Sequence, residues 1–335
     1  MYYSIGIDVA KQTLQVYIPF KDENISIKNT PKAIKSLYSK LKKYYKKELD
    51  QVVFVFEPTS TYSSQLKYFC AEKEIKAFIV NPRQSANFAK AIDARSKTDI
   101  IDSKMLSQML ITADTSNIKV PIIDETQETI KELLTYYKLL QKQRNGVSNY
   151  LESLAVKGKV TPLYKRLVKE AKRLKVEEET IIEEILEIIH SDQKLSQNFK
   201  NITSIVGVGK LSGIALLHLF ITYPEANRQQ ISALSGLDAV EKTSGTSLNR
   251  KTRISKRGSS IYRGILFMPV LVSVRINPYL KAFYERLLRN GKHTTVAQIA
   301  VMRKTILIAH ALYKSNQVFD NELYEKRVAW KTIQM

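Results

Sequence analysis

The chain has 335 residues, 44% of them hydrophobic and 25% charged, a composition that predicts a globular protein of two or three domains. Its 53 Lys and Arg against 32 Asp and Glu give a net charge of +21. This excess favours a polyanion such as nucleic acid as the partner, the plain alternative being lysine used as surface filler. The single cysteine excludes a disulfide within the chain, and the four scattered histidines argue against a zinc enzyme.

The apolar runs of the sequence are too short to span a bilayer. The N-terminal residues also lack the basic, apolar and small-residue order of a secretory signal. We therefore expect a cytoplasmic protein without a membrane partner, associated with the nucleoid when it is bound to DNA.

Residues 1–120 alternate predicted strands and helices. Three strands come first, a helix opens at Pro31, and an apolar run typical of a strand buried on both faces begins a further alternation. The predicted strands are Ser4–Asp8, Thr13–Ile18, about Ile25–Asn29, Val52–Glu57 and Ala77–Val80. The predicted helices are Pro31 to about Leu49, Tyr62–Lys73 and one that carries Asp99 and runs through Leu110. This order is typical of an RNase H-like α/β domain.

Four acidic residues stand where such a domain would hold a metal ion. Asp8 and Glu57 each end a predicted buried strand, and Asp99 and Asp102 are spaced to share one face of a helix. Acids so close repel each other unless a cation or a proton compensates them, and carboxylate oxygens suit Mg²⁺ or Mn²⁺. Each acid alone fits a capping or solvated residue, but the set predicts a metal site for phosphoryl transfer.

Residues 121–198 show helical periodicity without strand-like alternation. One arm carries apolar residues at alternating spacings of four and three, which predicts a heptad seam. The seam is Leu133, Tyr137, Leu140, Arg144, Val147, Leu151 and Leu154. The returning arm is basic over Lys165–Lys175 and acidic over Glu177–Asp192. We predict a helical hairpin that serves dimerisation or acts as a lever, the alternative being a helical subdomain packed on its own chain.

Residues 199–335 form the third predicted domain, which is mainly helical. A glycine turn, Ile205–Gly209, precedes the apolar helix Leu211–Phe220 and is similar to a helix-hairpin-helix element. Such a turn lets backbone N–H groups approach a phosphate, so Gly207, Gly209 and Lys210 are candidate nucleic-acid contacts. An ordinary helical turn would show the same pattern.

A basic segment follows within this domain. Five cations without an intervening acid lie among glycines and small hydroxyl residues, a combination suited to holding phosphate. They are Arg250, Lys251, Arg253, Lys256 and Arg257. A flexible basic surface loop is the alternative, and these residues alone do not select any serine as a nucleophile.

Short motifs in order along the chain give it a resemblance to a known family. It resembles the DEDD transposases of insertion sequences, the bridge-RNA-guided recombinases that also include Piv-type DNA invertases. The N-terminal motifs are Tyr3–Lys11, Glu57–Tyr62, Asn81-Pro82 and Lys97–Asp102. The C-terminal motifs are Ile205–Gly209, Leu234–Leu237, Thr243–Gly245, Ile254–Gly258 and Tyr262-Arg263. Arg263 is therefore added to the candidate nucleic-acid contacts.

The resemblance implies a RuvC-like domain, a coiled-coil insertion and a separate transposase domain. It implies that Asp8, Glu57, Asp99 and Asp102 bind Mg²⁺ and that Ser244 attacks a DNA phosphodiester to form a phosphoserine link. The metals would assist the departing 3′ oxygen, and strands would then exchange between donor and target double-stranded DNA. A structured noncoding guide RNA would choose the sequences, and homodimers would assemble into tetramers. Ser247 and Ser255 are alternative nucleophiles.

Other functions share part of these features. A site-specific invertase of the same family would use the same residues, whereas a RuvC-like junction resolvase would use the acids and have no role for Ser244. A sugar-kinase-like ATPase also opens with an Ile-Gly-Ile-Asp strand, but it needs glycine-rich phosphate loops that the 11 glycines do not form before residue 200. A non-catalytic RNA-binding protein would have no need of Asp99 and Asp102.

Overall fold

The structure is a computed structural model that describes residues 2–92, 98–156, 158, 160–244 and 248–320, with side chains left undescribed at 60, 115 and 242–251. The chain forms two compact units, residues 1–124 and 125–335. The first is a sheet covered by helices, and the second is mainly helical with one two-stranded ribbon.

The N-terminal unit is built on a five-stranded mixed sheet. Its strands are β1 (Tyr3–Val9), β2 (Thr13–Ile18), β3 (Glu23–Lys28), β4 (Val52–Phe56) and β5 (Lys76–Ile79). They lie in the order β3-β2-β1-β4-β5. The first three pair antiparallel, while β4 runs parallel to both β1 and β5. The sheet therefore changes from antiparallel to parallel at β1, its central strand.

Helices cover both faces of this sheet, and strand alternation divides the side chains between them. They are α1 (Pro31–Tyr45), α2 (Ser64–Glu72), α3 (Pro82–Ala91) and α4 (Asp99–Gln108). Phe54 and Phe56 of β4 belong to the core that contains the buried side chains of α1 and α2. Val53 and Val55 belong to a second core with Leu106 of α4. All five residues of β4 are buried, as the continuous apolar run predicts.

Helix α4 lies directly against the backbone of β1. A Cβ added to Gly6 would stand 1.9 Å from the carbonyl oxygen of Ser103 and 2.6 Å from the backbone nitrogen of Ser107. One turn further along the helix, Ser107 Oγ lies 2.6 Å from Ser4 Oγ. Ser4 and Ser107 thus mark one end of this contact, and the start of α4 lies toward the carboxyl end of β1.

The predicted elements of this unit are present, with small shifts at their ends. Helix α1 stops at Tyr45 and continues as a 3-10 turn rather than reaching Leu49 as an α-helix. Helix α3 was not predicted from the sequence. Its signal is a capping box, in which Asn81 and Gln84 satisfy each other's backbone N–H groups.

The C-terminal unit begins with the predicted helical hairpin, α5 (Glu125–Ala155) and α6 (Pro162–Ser191). The apolar residues of the seam are buried or half-buried, and among them Arg144 places its guanidinium 2.7 Å from the carboxylate of Glu178. Glu178 is buried, so this ion pair neutralises a charge inside the hairpin. A polar pair at one seam position can fix the register of two helices, because a shift would leave a buried charge unpaired.

The remaining described elements follow the hairpin, and all except β6 contribute to the hydrophobic core that the hairpin shares. They are α7 (Gln193–Thr203), α8 (Lys210–Thr222), α9 (Arg228–Leu234), β6 (Ala239–Ser244), β7 (Leu248–Ile254), α10 (Ser260–Ile276), α11 (Pro278–Arg289) and α12 (Thr294–Ser315). The shared core includes Ile130 of α5 and Ile185 of α6. The helical insertion and the C-terminal domain therefore fold as one unit.

Two features of this unit differ from the sequence expectations. The basic segment is not a plain loop, because β6 and β7 pair antiparallel through most of it. Helix α12 is also long and apolar enough by composition to cross a membrane, although no such run was expected. Its Ala297, Val301 and Ile306 are at most 1% exposed, so the described structure uses α12 as a core helix.

Replacing Gly6 by alanine should destabilise the N-terminal unit by about 1–3 kcal/mol, because the added methyl group meets the backbone of α4. Gly146→Ala is the matched control, since a Cβ there has no atom within 4 Å and α5 should tolerate or prefer alanine. Calorimetric unfolding of both variants measures the difference. Equal stability of Gly6→Ala and the wild type would show that β1 and α4 are not in close contact.

Candidate functional site

The sheet register brings Asp8 and Glu57 side by side. Strands β1 and β4 are parallel, and Ile7 of β1 pairs with Phe56 of β4. The residue that follows each of these two is one of the acids, Asp8 or Glu57. Alternation along β1 places Asp8 on the same face as Gly6, and alternation past β4 places Glu57 on the face of Val55. Both carboxylates therefore lie on the face of the sheet that α4 covers.

The start of α4 supplies the other two acids. Thr98 caps the helix by accepting a hydrogen bond from the N–H of Ile101, and Asp99 and Asp102 occupy the first turn. The contact of α4 with Gly6 brings this turn toward Asp8. Acids at a helix N-terminus are also favoured by the helix dipole, which offsets part of their mutual repulsion.

The electrostatics of Asp8 indicate that the other three carboxylates lie near enough to act on its charge. The pKa of Asp8 is raised from 3.8 to about 6, first by partial burial and then by the negative charges of Asp99, Asp102 and Glu57, in that order. A hydrogen bond from the backbone of Val9 opposes this shift. Asp8 is half-buried and Asp99 exposed, so the cluster is open to solvent and to a substrate.

The donor set fits a hard divalent cation. Carboxylate oxygens are the ligands that Mg²⁺ and Mn²⁺ prefer, and a bound cation would relieve the repulsion that raises the pKa of Asp8. Among the described residues, no three acidic, histidine or cysteine side chains are already placed to hold one ion together. Magnesium sites often use one or two carboxylates and complete their shell with water and substrate phosphates, so a preformed cage is not required.

The ribbon in the C-terminal unit carries the candidate serine and most of the basic segment. Ser244 ends β6 and pairs through its backbone with Leu248, the first residue of β7. The side chains of Arg253, Lys256 and Arg257 are exposed. The side chains of Ser244, Arg250 and Lys251 are not among those described, and Lys97, Gly245, Thr246 and Ser247 lie outside the described residues.

The alternative serine, Ser255, lies at the opposite end of the ribbon. Its Oγ donates a hydrogen bond to the carboxylate of Asp238 and accepts one from the N–H of Arg257 at 3.2 Å. The structure therefore places a carboxylate, Asp238, beside this serine. Both hydrogen-bonding functions of Ser255 are thus used within the fold.

The two glycines of the turn before α8 differ in their surroundings: Gly207 packs against a neighbouring helix, whereas Gly209 has open space beside it. Gly207 has a φ of +99°, and a Cβ there would stand 2.1 Å from Ser273 Oγ, so packing against α10 accounts for this glycine. A Cβ added to Gly209, the N-cap of α8, would meet no atom within 4 Å. Lys210 Nζ lies 2.8 Å from a carboxylate oxygen of Glu183.

Sequence analysis missed the residues that position the acids. On β1, the small residues Ser4 and Gly6 alternate with buried Ile5 and Ile7, leaving a strip without bulky side chains. Buried serines spaced four apart, Ser103 and Ser107, face this strip from α4. The alternation of small and large residues on β1, matched by small residues on a helix, is the sequence signal that could have revealed the contact.

Comparison with known families decides the identity of the chain. One family model, described as a transposase and carrying DEDD in its name, matches residues 5–157. A second, described as the transposase IS116/IS110/IS902 family, matches residues 199–285. The chain belongs to the IS110 family of transposases. It is an enzyme that acts on DNA, and the DEDD class of its N-terminal domain indicates dependence on a divalent metal ion.

Curated relatives match along nearly the whole chain. The pilin gene-inverting proteins of Moraxella bovis and Moraxella lacunata are each 25% identical over 330 residues, which cover 96% of this chain and 98% of each relative. Both units of this IS110-family protein therefore have counterparts in a protein named for DNA inversion.

Asp8→Asn should stabilise the metal-free protein above about pH 6 and leave it unchanged below about pH 4. The folded state holds the Asp8 proton up to about pH 6, whereas the unfolded chain loses it near 3.8, so folding stability falls as pH rises between these values. Asparagine cannot ionise, so Asp8→Asn does not lose this stability as the pH rises. Thermal unfolding across this pH range in the presence of a chelator measures the effect.

Asp50→Asn is the control for this experiment, because Asp50 is an exposed aspartate of the same unit. Added Mg²⁺ should then stabilise the wild type more than Asp8→Asn, since only the wild type keeps all four carboxylates. A stability difference that does not vary with pH would show that the four acids do not share a site.

Proposed function

We propose that this protein is an insertion-sequence transposase that cleaves donor and target DNA and exchanges their strands through a covalent phosphoserine intermediate. Ser244 is the proposed nucleophile, and Asp8, Glu57, Asp99 and Asp102 are the proposed Mg²⁺ ligands. The observation that carries the proposal is the convergence of the four carboxylates at the carboxyl end of β1 in a chain of the IS110 family.

The topology of the N-terminal unit supports an RNase H-like, RuvC-like assignment. The strand order β3-β2-β1-β4-β5 has three antiparallel strands followed by two parallel ones. Asp8 and Glu57 lie where the central parallel pair ends, and Asp99 and Asp102 lie at the start of the helix that packs on this face of the sheet. In open α/β sheets, ligands bind beyond the carboxyl ends of parallel strands, which is where a phosphodiester would meet these acids.

The proposed reaction is a transesterification that conserves the phosphodiester. The Oγ of Ser244 forms a bond to phosphorus as the bond from phosphorus to the 3′ oxygen breaks. The Ser244 hydroxyl gives up its proton to water, and the departing 3′ oxygen takes up a proton from water to become a 3′ hydroxyl. In the reverse sense, the 3′ hydroxyl of another strand attacks the phosphoserine and releases the serine, which completes the exchange.

The acidic cluster and the basic ribbon have complementary parts in this reaction. A divalent ion held by the four carboxylates would supply Lewis-acid stabilisation of charge on a phosphate oxygen. Arg253, Lys256 and Arg257 are exposed and offer cations to the DNA backbone next to the reacting phosphate. We propose that both parts act on the same phosphodiester.

Ser244 is preferred over Ser255 because of its position on the ribbon. Ser244 is the last residue of β6 and pairs with Leu248, at the end of the paired strands that is farthest from the flanking helices. Ser255 lies at the opposite end and is hydrogen-bonded to Asp238. A nucleophile that must reach a phosphate in a bulky duplex is better placed at the end far from the helices. Ser247 is a further alternative, outside the described residues.

The proposed partners are double-stranded DNA and a structured guide RNA, with homodimers that assemble into tetramers. A net charge of +21 favours sequence-independent binding of phosphate backbones. An enzyme guided by RNA needs little base recognition of its own, because base pairing supplies the sequence choice. The expected place of action is the cytoplasm, on chromosomal DNA.

Site-specific DNA inversion is the second candidate function. It is favoured by the two relatives named for inversion, which align with 96% of this chain. Inversion and transposition would use the same serine chemistry and differ in which strands are joined. Sequencing the joined products distinguishes them, since inversion reverses a segment in place and transposition joins element ends to a new site.

Ser244→Ala should abolish the covalent protein–DNA adduct, lowering it by at least about 100-fold, because the hydroxyl that attacks phosphorus is gone. The full-length protein is co-expressed with the DNA flanking its gene, incubated with end-labelled element DNA and Mg²⁺, and analysed on a denaturing gel. Ser255→Ala is the matched variant and should keep the adduct. Loss of the adduct in Ser255→Ala but not in Ser244→Ala would move the nucleophile to Ser255.

Asp99→Asn and Asp102→Asn should each lower the rate of DNA cleavage by at least about 100-fold, because each removes a proposed metal ligand. DNA affinity should not change, because neither variant removes a DNA-binding cation. Asp50→Asn again serves as the exposed control. Cleavage without any adduct in the wild type would instead identify a nuclease that uses water, as a junction resolvase does. Unchanged cleavage by both variants would show that the two acids only cap α4.

A further inference from the structure

Arg263 joins the two chain segments from which the ribbon β6–β7 emerges. Its Nη1 donates hydrogen bonds to the carbonyl oxygen of Ser235 at 2.8 Å and to that of Gly258 at 2.9 Å. A third, longer contact reaches the carbonyl oxygen of Ser259 at 3.3 Å. Ser235 precedes β6, and Gly258 follows β7, so one side chain of α10 bridges both ends of the ribbon.

Two glycines allow these segments to approach each other and the guanidinium. A Cβ on Gly236 would stand 2.3 Å from Arg263 Nη1 and 2.9 Å from the backbone nitrogen of Gly258. A Cβ on Gly258 would stand 1.8 Å from the carbonyl oxygen of Leu234. Gly236 also has a φ of +67°, which favours glycine. The base of the ribbon is therefore packed backbone to backbone.

Hydrogen bonds continue this junction into the ribbon. The N–H of Lys256 donates to the carbonyl of Gly236 at 3.1 Å, and the N–H of Ser255 donates to that of Asp238 at 2.8 Å. The Asp238 carboxylate accepts a further bond from Ser255 Oγ. These contacts fix where both strands leave the helical body, and Arg263 lies at their centre.

We infer that Arg263 is a positioning residue that orients the ribbon, and with it Ser244, rather than a contact to phosphate. The inference rests on the proposed role of Ser244. Both N–H bonds of Nη1 are shared by three carbonyl oxygens, so this nitrogen holds the guanidinium at the base of the ribbon. A phosphate contact would have to use the three N–H bonds of Nε and Nη2, and the salt dependence of DNA binding tests for it. A short two-stranded ribbon is marginally stable by itself, so its orientation depends on its base.

The test compares Arg263→Ala and Arg263→Lys with Arg275→Ala, which removes an exposed arginine from the same helix. For each variant, adduct formation on labelled element DNA is timed under single-turnover conditions. The DNA dissociation constant is measured at several salt concentrations. Hydrogen exchange is compared between peptides of β6–β7 and peptides of α8, the latter reporting whether the helical body is folded.

Arg263→Ala should slow adduct formation at least tenfold, accelerate exchange in the ribbon and leave exchange in α8 unchanged. Its DNA affinity and the salt dependence of binding should match those of Arg275→Ala. Arg263→Lys should recover part of the rate, because an ammonium still donates to the carbonyl oxygens.

Two results would overturn the inference. A loss of DNA affinity with a salt slope reduced by about one would identify Arg263 as a phosphate contact. Wild-type adduct formation by Arg263→Ala would show that the ribbon does not need the bridge. Ser244→Ala, run in parallel, separates this from a failure of the proposed nucleophile: an adduct that persists there rejects Ser244 whatever Arg263 does.

Discussion

The close contact between Gly6 of β1 and the backbone of α4 is the constraint on which the acidic site depends. Large side chains hold a helix away from a sheet, whereas the missing side chain at Gly6 lets the backbone of α4 lie against the strand itself. The contact extends through Ser4 and Ser107, whose hydroxyls lie 2.6 Å apart. It brings the first turn of α4 to the place where β1 ends in Asp8.

This arrangement brings negative charges close to Asp8, which makes its ionised form less favourable. Partial burial and the negative charges of Asp99, Asp102 and Glu57 raise the pKa of Asp8 to about 6. The DEDD class of the N-terminal domain indicates dependence on a divalent metal ion, and carboxylate oxygens are the ligands that such an ion prefers.

The C-terminal unit solves a related positioning problem with backbone contacts. The ribbon that carries Ser244 leaves the helical body between two glycines and is bridged by Arg263. The helical hairpin belongs to the same hydrophobic core and carries one buried ion pair, Arg144 with Glu178, in an otherwise apolar seam. In both units, small residues permit close approach and a polar contact then fixes the geometry.

Sequence reasoning located the regular elements that have strong periodicity and missed those that depend on context. The continuous apolar run Val52–Phe56 indicates a buried strand, and the helical periodicity of the two long arms indicates a helical hairpin. Few other local structures would produce these patterns. The ribbon β6–β7 was not predicted, because its residues are mostly polar and lack the apolar alternation of a half-buried strand. Helix α3 was overlooked because its capping signal is a pair of amide residues in a polar segment.

The sequence by itself determined the acids, the basic segment and the family, because these depend on residue types in a fixed order. Only the tertiary structure decided that Asp8 and Glu57 lie side by side near the start of α4, since strand register and helix placement join residues that are far apart along the chain. It also separated residues of similar sequence appearance: Gly207 is packed against Ser273 while Gly209 is open, and Arg263 binds carbonyl oxygens while Arg257 is exposed. Such distinctions depend on which atoms surround a side chain, which local sequence does not contain.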